Sequence, residues 1–228
     1  LSDAIGKDPD YSSPLPGIRY NGRYNLRILR KGVGKGRSVI INTHTDVVPI
    51  SAGEGDSRGA TVSGGRIKGP GACDAKGQIA VLYLLMKSLK ECAVPLAGDI
   101  RIHLVVEEEN GGNGTLAMVR RGFSADGCIV MEPTAMRVCT SIRGALWFRL
   151  AVRGKSGHSS QVGRTRSALA TVREAMSALE EFHRRLSGKS RGVPLFDRLR
   201  APMPLTFGML QSGIWPAADI FQFVNNLH

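Results

Sequence analysis

Residues 38–49 read SVIINTHTDVVP. Ser38 to Asn42 form a short apolar run flanked by glycine and polar residues, and the chain turns polar at Thr43-His44. That pattern predicts a central strand. In an open α/β sheet, ligands bind beyond the carboxyl ends of the strands, so His44 and Asp46 stand where a site would form. Downstream, Ser51 to Gly71 is rich in glycine and serine and reads as one long loop.

Lys76 to Glu91 carries Ile79, Val81, Leu82, Leu84, Leu85 and Leu89, a density expected of a helix packed on a sheet. Pro95 and Gly98 end it. Ile100, Ile102, Leu104 and Val106 alternate, which predicts a strand over Asp99 to Val106. Gly111 to Gly114 reads as a turn, Thr115 to Arg121 as a short helix, and Cys128 to Met131 as another buried strand. Strands alternating with helices imply an α/β layer architecture. The pattern then changes. Ala145 to Arg153 (ALWFRLAVR) is β-rich, and Leu169, Val172, Met176, Leu179 and Leu186 mark one helical face within Arg166 to Leu186. A smaller α+β unit is expected from near residue 141, dividing the chain into residues 1–140 and 141–228.

At 228 residues the chain is long enough to bury a core without disulfide or metal staples. Its 42% hydrophobic and 22% charged residues are those of a soluble globular protein. No apolar run approaches the ~20 residues of a membrane span, and residues 1–25 contain no secretory apolar core. The net charge of +12 raises the question of nucleic acid, but the basic residues are scattered and lack interleaved aromatics, which argues against it. Cys73, Cys92, Cys128 and Cys139 fall in no CxxC or CxxH pair. They read as reduced, small buried hydrophobes in a cytoplasmic protein. The chain opens on Leu1 and closes at His228 without a helix stop or closing strand, so a fragment, or a chain with omitted segments, is expected.

The acidic residues gather at strand ends. His44 and Asp46 follow the first strand, Asp74 precedes the helix, Glu107, Glu108 and Glu109 follow the second strand, and Glu132 follows the third. Each has a simpler explanation when taken alone. His44 could be an edge histidine, Asp74 a helix N-cap, the glutamates a solvated loop, and Glu132 a turn residue before Pro133. Their shared placement favours one site. Carboxylates held close in a low-dielectric site repel one another, and divalent cations would offset that repulsion. Imidazole plus carboxylate suits Zn²⁺, with Mn²⁺ or Co²⁺ as substitutes.

These residues resemble the dinuclear zinc amidohydrolases that include acetylornithine deacetylase, succinyl-diaminopimelate desuccinylase, aminoacylase and glutamate carboxypeptidase. The matching segments are HTDVVP (44–49), GPGACDAKG (69–77), EEENGGNGT (107–115), MEPT (131–134) and RGKSGHSS (153–160). The resemblance implies a zinc-exopeptidase-like α/β domain, its mixed central sheet flanked by helices. It also implies a smaller α+β, ferredoxin-like lid and dimerisation domain, hence a homodimer. It implies two divalent cations, zinc first. His44 and Glu132 would sit on one metal, Glu109 on the other, and Asp74 would bridge them. Asp46 would orient His44. Glu108 would be the general base, taking a proton from a water made acidic by the metals and passing it to the departing amine. His158 would stabilise the tetrahedral oxyanion. The substrate implied is a small N-acyl amino acid or peptide.

His103 and His183 match no motif position and read as structural; Cys73 reads as packing. The family's last histidine ligand, from a returning segment, is not found, and terminal His228 is not assigned to it. Pro204 to Asp219 resembles a small-domain strand and loop. The rival readings are a dipeptidase or carboxypeptidase on the same scaffold, and a non-catalytic member lacking the last ligand.

Overall fold

A computed structural model describes residues 3–12, 18–49, 59–146, 148–155, 165–189, 192, 194, 199, 201 and 203–212. The chain divides into two compact units, Leu1–Trp147 and Phe148–His228.

The first unit is built on a four-stranded sheet in the order β1-β5-β2-β6. These strands are β1 (Leu26–Arg30), β2 (Val39–His44), β5 (Ile100–Val105) and β6 (Gly127–Val130). β2 runs parallel to both β5 and β6, and β1 closes the other edge antiparallel to β5. The sheet is therefore mixed, as expected. Its register matters most: His44 lies opposite Val105, and Asn42 opposite Val130. The Met131 amide donates to Asn42 O at 2.8 Å, extending the β6 pairing by one step. The carboxyl ends of three parallel strands thus finish side by side, and the polar residues after each emerge at one edge.

The strand in SVIINTHTDVVP runs further than its composition predicts. It continues through Thr43 and His44, both buried. The two polar side chains are tolerated because each has partners: Thr43 Oγ1 donates to Met131 O at 3.3 Å, and His44 bonds on both ring nitrogens.

Helix α1 (Lys76–Glu91) matches its predicted span. Leu82 enters the core with Ile41 and Ile102, backed by Met86, Ile100, Leu104 and Met131. Burying each such side chain stabilises by about 1.5–3 kcal/mol. Val81, Tyr83 and Leu84 on the same helix stay exposed. Helix α2 (Asn113–Arg120) starts two residues earlier than the pattern indicates.

Three sequence expectations need correction here. β6 is not buried: all four residues are exposed, because it is an edge strand. The long loop Ser51 to Gly71 contains a hairpin, β3 (Thr61–Ser63) and β4 (Arg66–Lys68), turned by Gly64 and Gly65 at φ 55° and 71°. Two consecutive positive φ values define the tight turn that fits strand twist, and glycine adopts them without strain. The four cysteines are free but exposed, not buried.

In the second unit, α3 (Ala168–Lys189) covers the predicted amphipathic segment. Ser167 caps it, its Oγ accepting the Ala170 amide at 3.1 Å. The described residues of Ala145 to Arg153 form no strand; only Lys155 makes an isolated bridge, with Arg166. β propensity alone does not make a strand without a neighbour to pair with. His183 Nε2 lies 2.5 Å from Met203 O, a structural role as expected. His158, residues 213–219 of the Pro204 to Asp219 segment, and His228 lie outside the described residues.

Candidate metal centre

His44 is the buried pivot of the carboxyl edge, with no exposed surface. Its Nε2 lies 2.8 Å from Asp74 Oδ1, and 4.0 Å from both Glu108 Oε2 and Glu132 Oε2. Its Nδ1 faces Asp46, 3.1 Å from the backbone oxygen and 3.4 Å from Oδ1. One nitrogen thus bonds the Asp46 backbone oxygen, with the Asp46 carboxylate just beyond, and the other points into the acid cluster.

Asp74 stands at the start of α1 without capping it. The N-cap position is Ala75, and among the described residues no side chain caps this helix. The simpler explanation of Asp74 is therefore set aside: its carboxylate is turned to His44.

Asp46 reaches a second element as well. Its Oδ1 accepts the Glu108 amide at 3.3 Å and its Oδ2 the Glu109 amide at 3.2 Å. The residue expected to orient His44 therefore also binds the loop that follows β5. Sequence gave no signal for this, because the bonds span 62 and 63 residues.

One donor atom each from His44, Asp74 and Glu109 lies within 4.8 Å of the other two. Ligand bonds of Zn²⁺ to nitrogen and carboxylate oxygen are about 2.0–2.2 Å, so this spacing is within reach of cation coordination. Glu132, 4.0 Å from His44 Nε2, flanks the same space. Every described residue singled out at the strand ends is thus brought to one edge, with Glu107 as the exception. Its carboxylate is buried against Arg23 and Tyr20 instead.

The electrostatics mark the edge as short of positive charge. Burial pushes the carboxyls of Glu108, Glu109 and Glu132 above their ordinary value, and the neighbouring acids push them further. Burial works against a charged His44, but the bond to Asp74 and the charges of Glu108, Asp46 and Glu132 outweigh it and hold the imidazole above its ordinary value. A proton on His44 is a poor substitute for a divalent ion among so many acids. The donor set of one imidazole and several carboxylates fits such an ion.

A family model described as Peptidase family M20/M25/M40 matches residues 40–219. The chain belongs to this family. Among curated relatives, an acetylornithine deacetylase of Myxococcus xanthus is 31% identical over 162 residues, 70% of this chain and 42% of the relative. A succinyl-diaminopimelate desuccinylase of Rhodospirillum centenum is 30% identical over 211 residues, 85% of this chain and 53% of the relative. An N-formyl-4-amino-5-aminomethyl-2-methylpyrimidine deformylase of Bacillus subtilis is 35% identical over 104 residues, 44% of this chain and 24% of the relative. The chain spans about half the length, or less, of these family relatives. Among the described residues, no helix is long and apolar enough to cross a membrane.

Proposed function

We propose that this chain carries most of the active edge of a metal-dependent hydrolase that cleaves the amide bond of an N-acyl amino acid or a related small amide. One observation carries the reading: His44, Asp74 and Glu109 converge at one edge, with Glu108 and Glu132 beside them, and among the described residues His44 is the basic partner that pairs with these acids. The names of the relatives support the reaction class, since a deacetylase, a desuccinylase and a deformylase each remove an acyl group.

Two divalent cations, zinc first, would be held by His44 and Glu132, by Glu109, and by Asp74 between them. When bound, such ions acidify water and polarise a carbonyl. The chain's own residues do the rest. Glu108 takes a proton from the attacking water and delivers it to the departing amine. Asp46 holds the His44 ring and the Glu108 and Glu109 amides in one arrangement. His158, on the smaller unit, is assigned to the oxyanion. A homodimer formed through that unit, in the cytoplasm, completes the proposal.

The test uses the full-length protein. About two divalent ions per chain are expected, together with turnover of N-acetylated amino acids. Glu108→Gln should abolish turnover while the metal stays bound; a near-normal rate would remove Glu108 as the base. Hydrolysis of dipeptides, with acylated amino acids untouched, would move the protein to the peptidase reading. Metal below one ion per chain, with no hydrolysis, would leave a non-catalytic member.

A further inference from the structure

Glu107 is the one acid of the Glu107–Glu109 run that the proposed chemistry does not use. It is 1% exposed and adopts a left-handed backbone, φ 66°, which a non-glycine residue holds only when its surroundings enforce it. The enforcement is visible. Arg23 Nη1 donates to its Oε1 at 2.6 Å, Tyr20 Oη to its Oε2 at 3.3 Å, and Asn110 Nδ2 to Oε1 at 3.4 Å. Tyr20 is in turn bonded to Tyr11, hydroxyl to hydroxyl at 2.8 Å, and accepts from Asn113 Nδ2 at 3.4 Å.

The rest of the loop is clamped by the same stretch of chain. Asn25 Oδ1 accepts the Val106 amide at 3.1 Å, and Asn25 Nδ2 donates to Gly114 O at 2.8 Å, so one side chain ties both ends of the loop. Ser12 and Asn113 exchange two bonds, 3.0 and 2.6 Å. Gly114 packs so closely that a Cβ there would lie 1.9 Å from Val106 O. On its other side the loop gives its Glu108 and Glu109 amides to Asp46. The segment carrying the base and one ligand is thus gripped from two directions.

We infer that Glu107, anchored by Arg23 and Tyr20, is a positioning residue that aims Glu108 and Glu109 at the cation edge, and that Ser12, Tyr20, Arg23 and Asn25 belong to the machinery of the site. This rests on the metal reading above, and it adds to that reading a set of residues more than 80 positions upstream of the loop they hold. Any buried carboxylate needs such partners; here they come from the same stretch of chain that ties both ends of the loop.

The experiment compares the full-length parent with Arg23→Gln, Arg23→Lys and Glu107→Gln. Three quantities are read: Co²⁺ affinity from its visible absorption, kcat and KM on an N-acetylated amino acid, and amide exchange of residues 107–113 in the cation-free protein. Arg23→Gln and Glu107→Gln should weaken Co²⁺ binding and lower kcat by about 10–100-fold each. KM should stay within about threefold, because orientation is lost and not substrate binding. Exchange at Glu108 and Glu109 should quicken by about tenfold or more. Arg23→Lys should restore most of both. If Glu107→Gln does not fold, Arg23→Gln carries the test, its side chain being half-exposed. Co²⁺ affinity and loop exchange within twofold of the parent would overturn the inference. A parent that binds no Co²⁺ would overturn the metal reading, while the exchange measurement would still decide whether Arg23 and Glu107 hold the loop.

Discussion

At the amino end of the sheet, Asp99 and Asp126 sit just ahead of β5 and β6; at the carboxyl end, Glu108, Glu109 and Glu132 sit just beyond the same two strands. The first pair is satisfied. Asp99 accepts the Gly32 amide at 3.1 Å and an Arg101 bond at 3.2 Å, and these hold its carboxyl below the ordinary value. Asp126 accepts the Ser38 hydroxyl at 2.7 Å and amide at 2.6 Å, with the same result. Among the described residues, the acids at the far end face His44 and one another; burial and the neighbouring acids push them upward, and His44 only partly offsets this. An acid that has found its donors is architecture. A group of acids that raise one another is waiting for a ligand of opposite charge.

The contrast is sharpest for cation binding. Asp74→Asn should cost more than about 100-fold in Zn²⁺ affinity, beyond the 10–100-fold typical of residues that only support a ligand. Titration calorimetry on the full-length protein measures it. Asp99→Asn should leave that affinity unchanged, and a comparable loss there would erase the distinction between the two ends. A smaller effect separates architecture from chemistry the other way. A Cβ on Gly98 would stand 2.1 Å from Arg37 O and 2.6 Å from Gly36 O, backbone atoms that cannot swing aside. Gly98→Ala should therefore lower stability by about 1–3 kcal/mol in denaturant unfolding, with Zn²⁺ affinity per folded molecule unaltered.

The mildest effect is on pH. Glu108, Glu109 and Glu132 have folded values above 4.5, and His44 above 6.5. Groups raised in the folded state contribute stability that is fully present below their unfolded values and is lost as pH rises through the folded ones. The cation-free protein should thus lose part of its stability as pH climbs from about 4.5 past 6.5. Asp99 and Asp126, lowered from 3.8, contribute the opposite slope at acid pH. Saturating Zn²⁺ should reverse the upper slope, because it replaces the protons and binds more tightly as they leave. Melting curves across pH, with and without the ion, check this; identical slopes would mean that the cluster is already neutralised.

What could be read in the sequence depended on whether a signal was local. The α1 span follows from the apolar density between Ile79 and Leu89, and β5 from the alternation of Ile100, Ile102 and Leu104. The site's composition was equally plain, since a residue that follows a parallel strand emerges at the carboxyl edge whatever the rest of the chain does. β1 carries no clear strand signal, because LRILR sets arginines among its apolar residues, and on an antiparallel edge strand they are tolerated. The β3–β4 hairpin was hidden although Gly64-Gly65 is a turn signal, because glycine and serine crowd the whole stretch around it. The short apolar run of β6 gave no clue that it would lie at the sheet's margin. The motif's spacing leaves Glu107 without a catalytic role but does not show its burial, which is set by Arg23 and Tyr20, 84 and 87 residues away.

That separation also governs when the molecule becomes competent. The two bonds between Ser12 and Asn113 join positions 101 residues apart, and such distant pairings form slowly because a large loop must close before they are rewarded. As the polypeptide leaves the ribosome, Tyr11, Ser12, Tyr20, Arg23 and Asn25 emerge early and must wait for the stretch they will grip. Until those contacts close, Glu108 and Glu109 have one of the two grips on their loop, the one that Asp46 supplies.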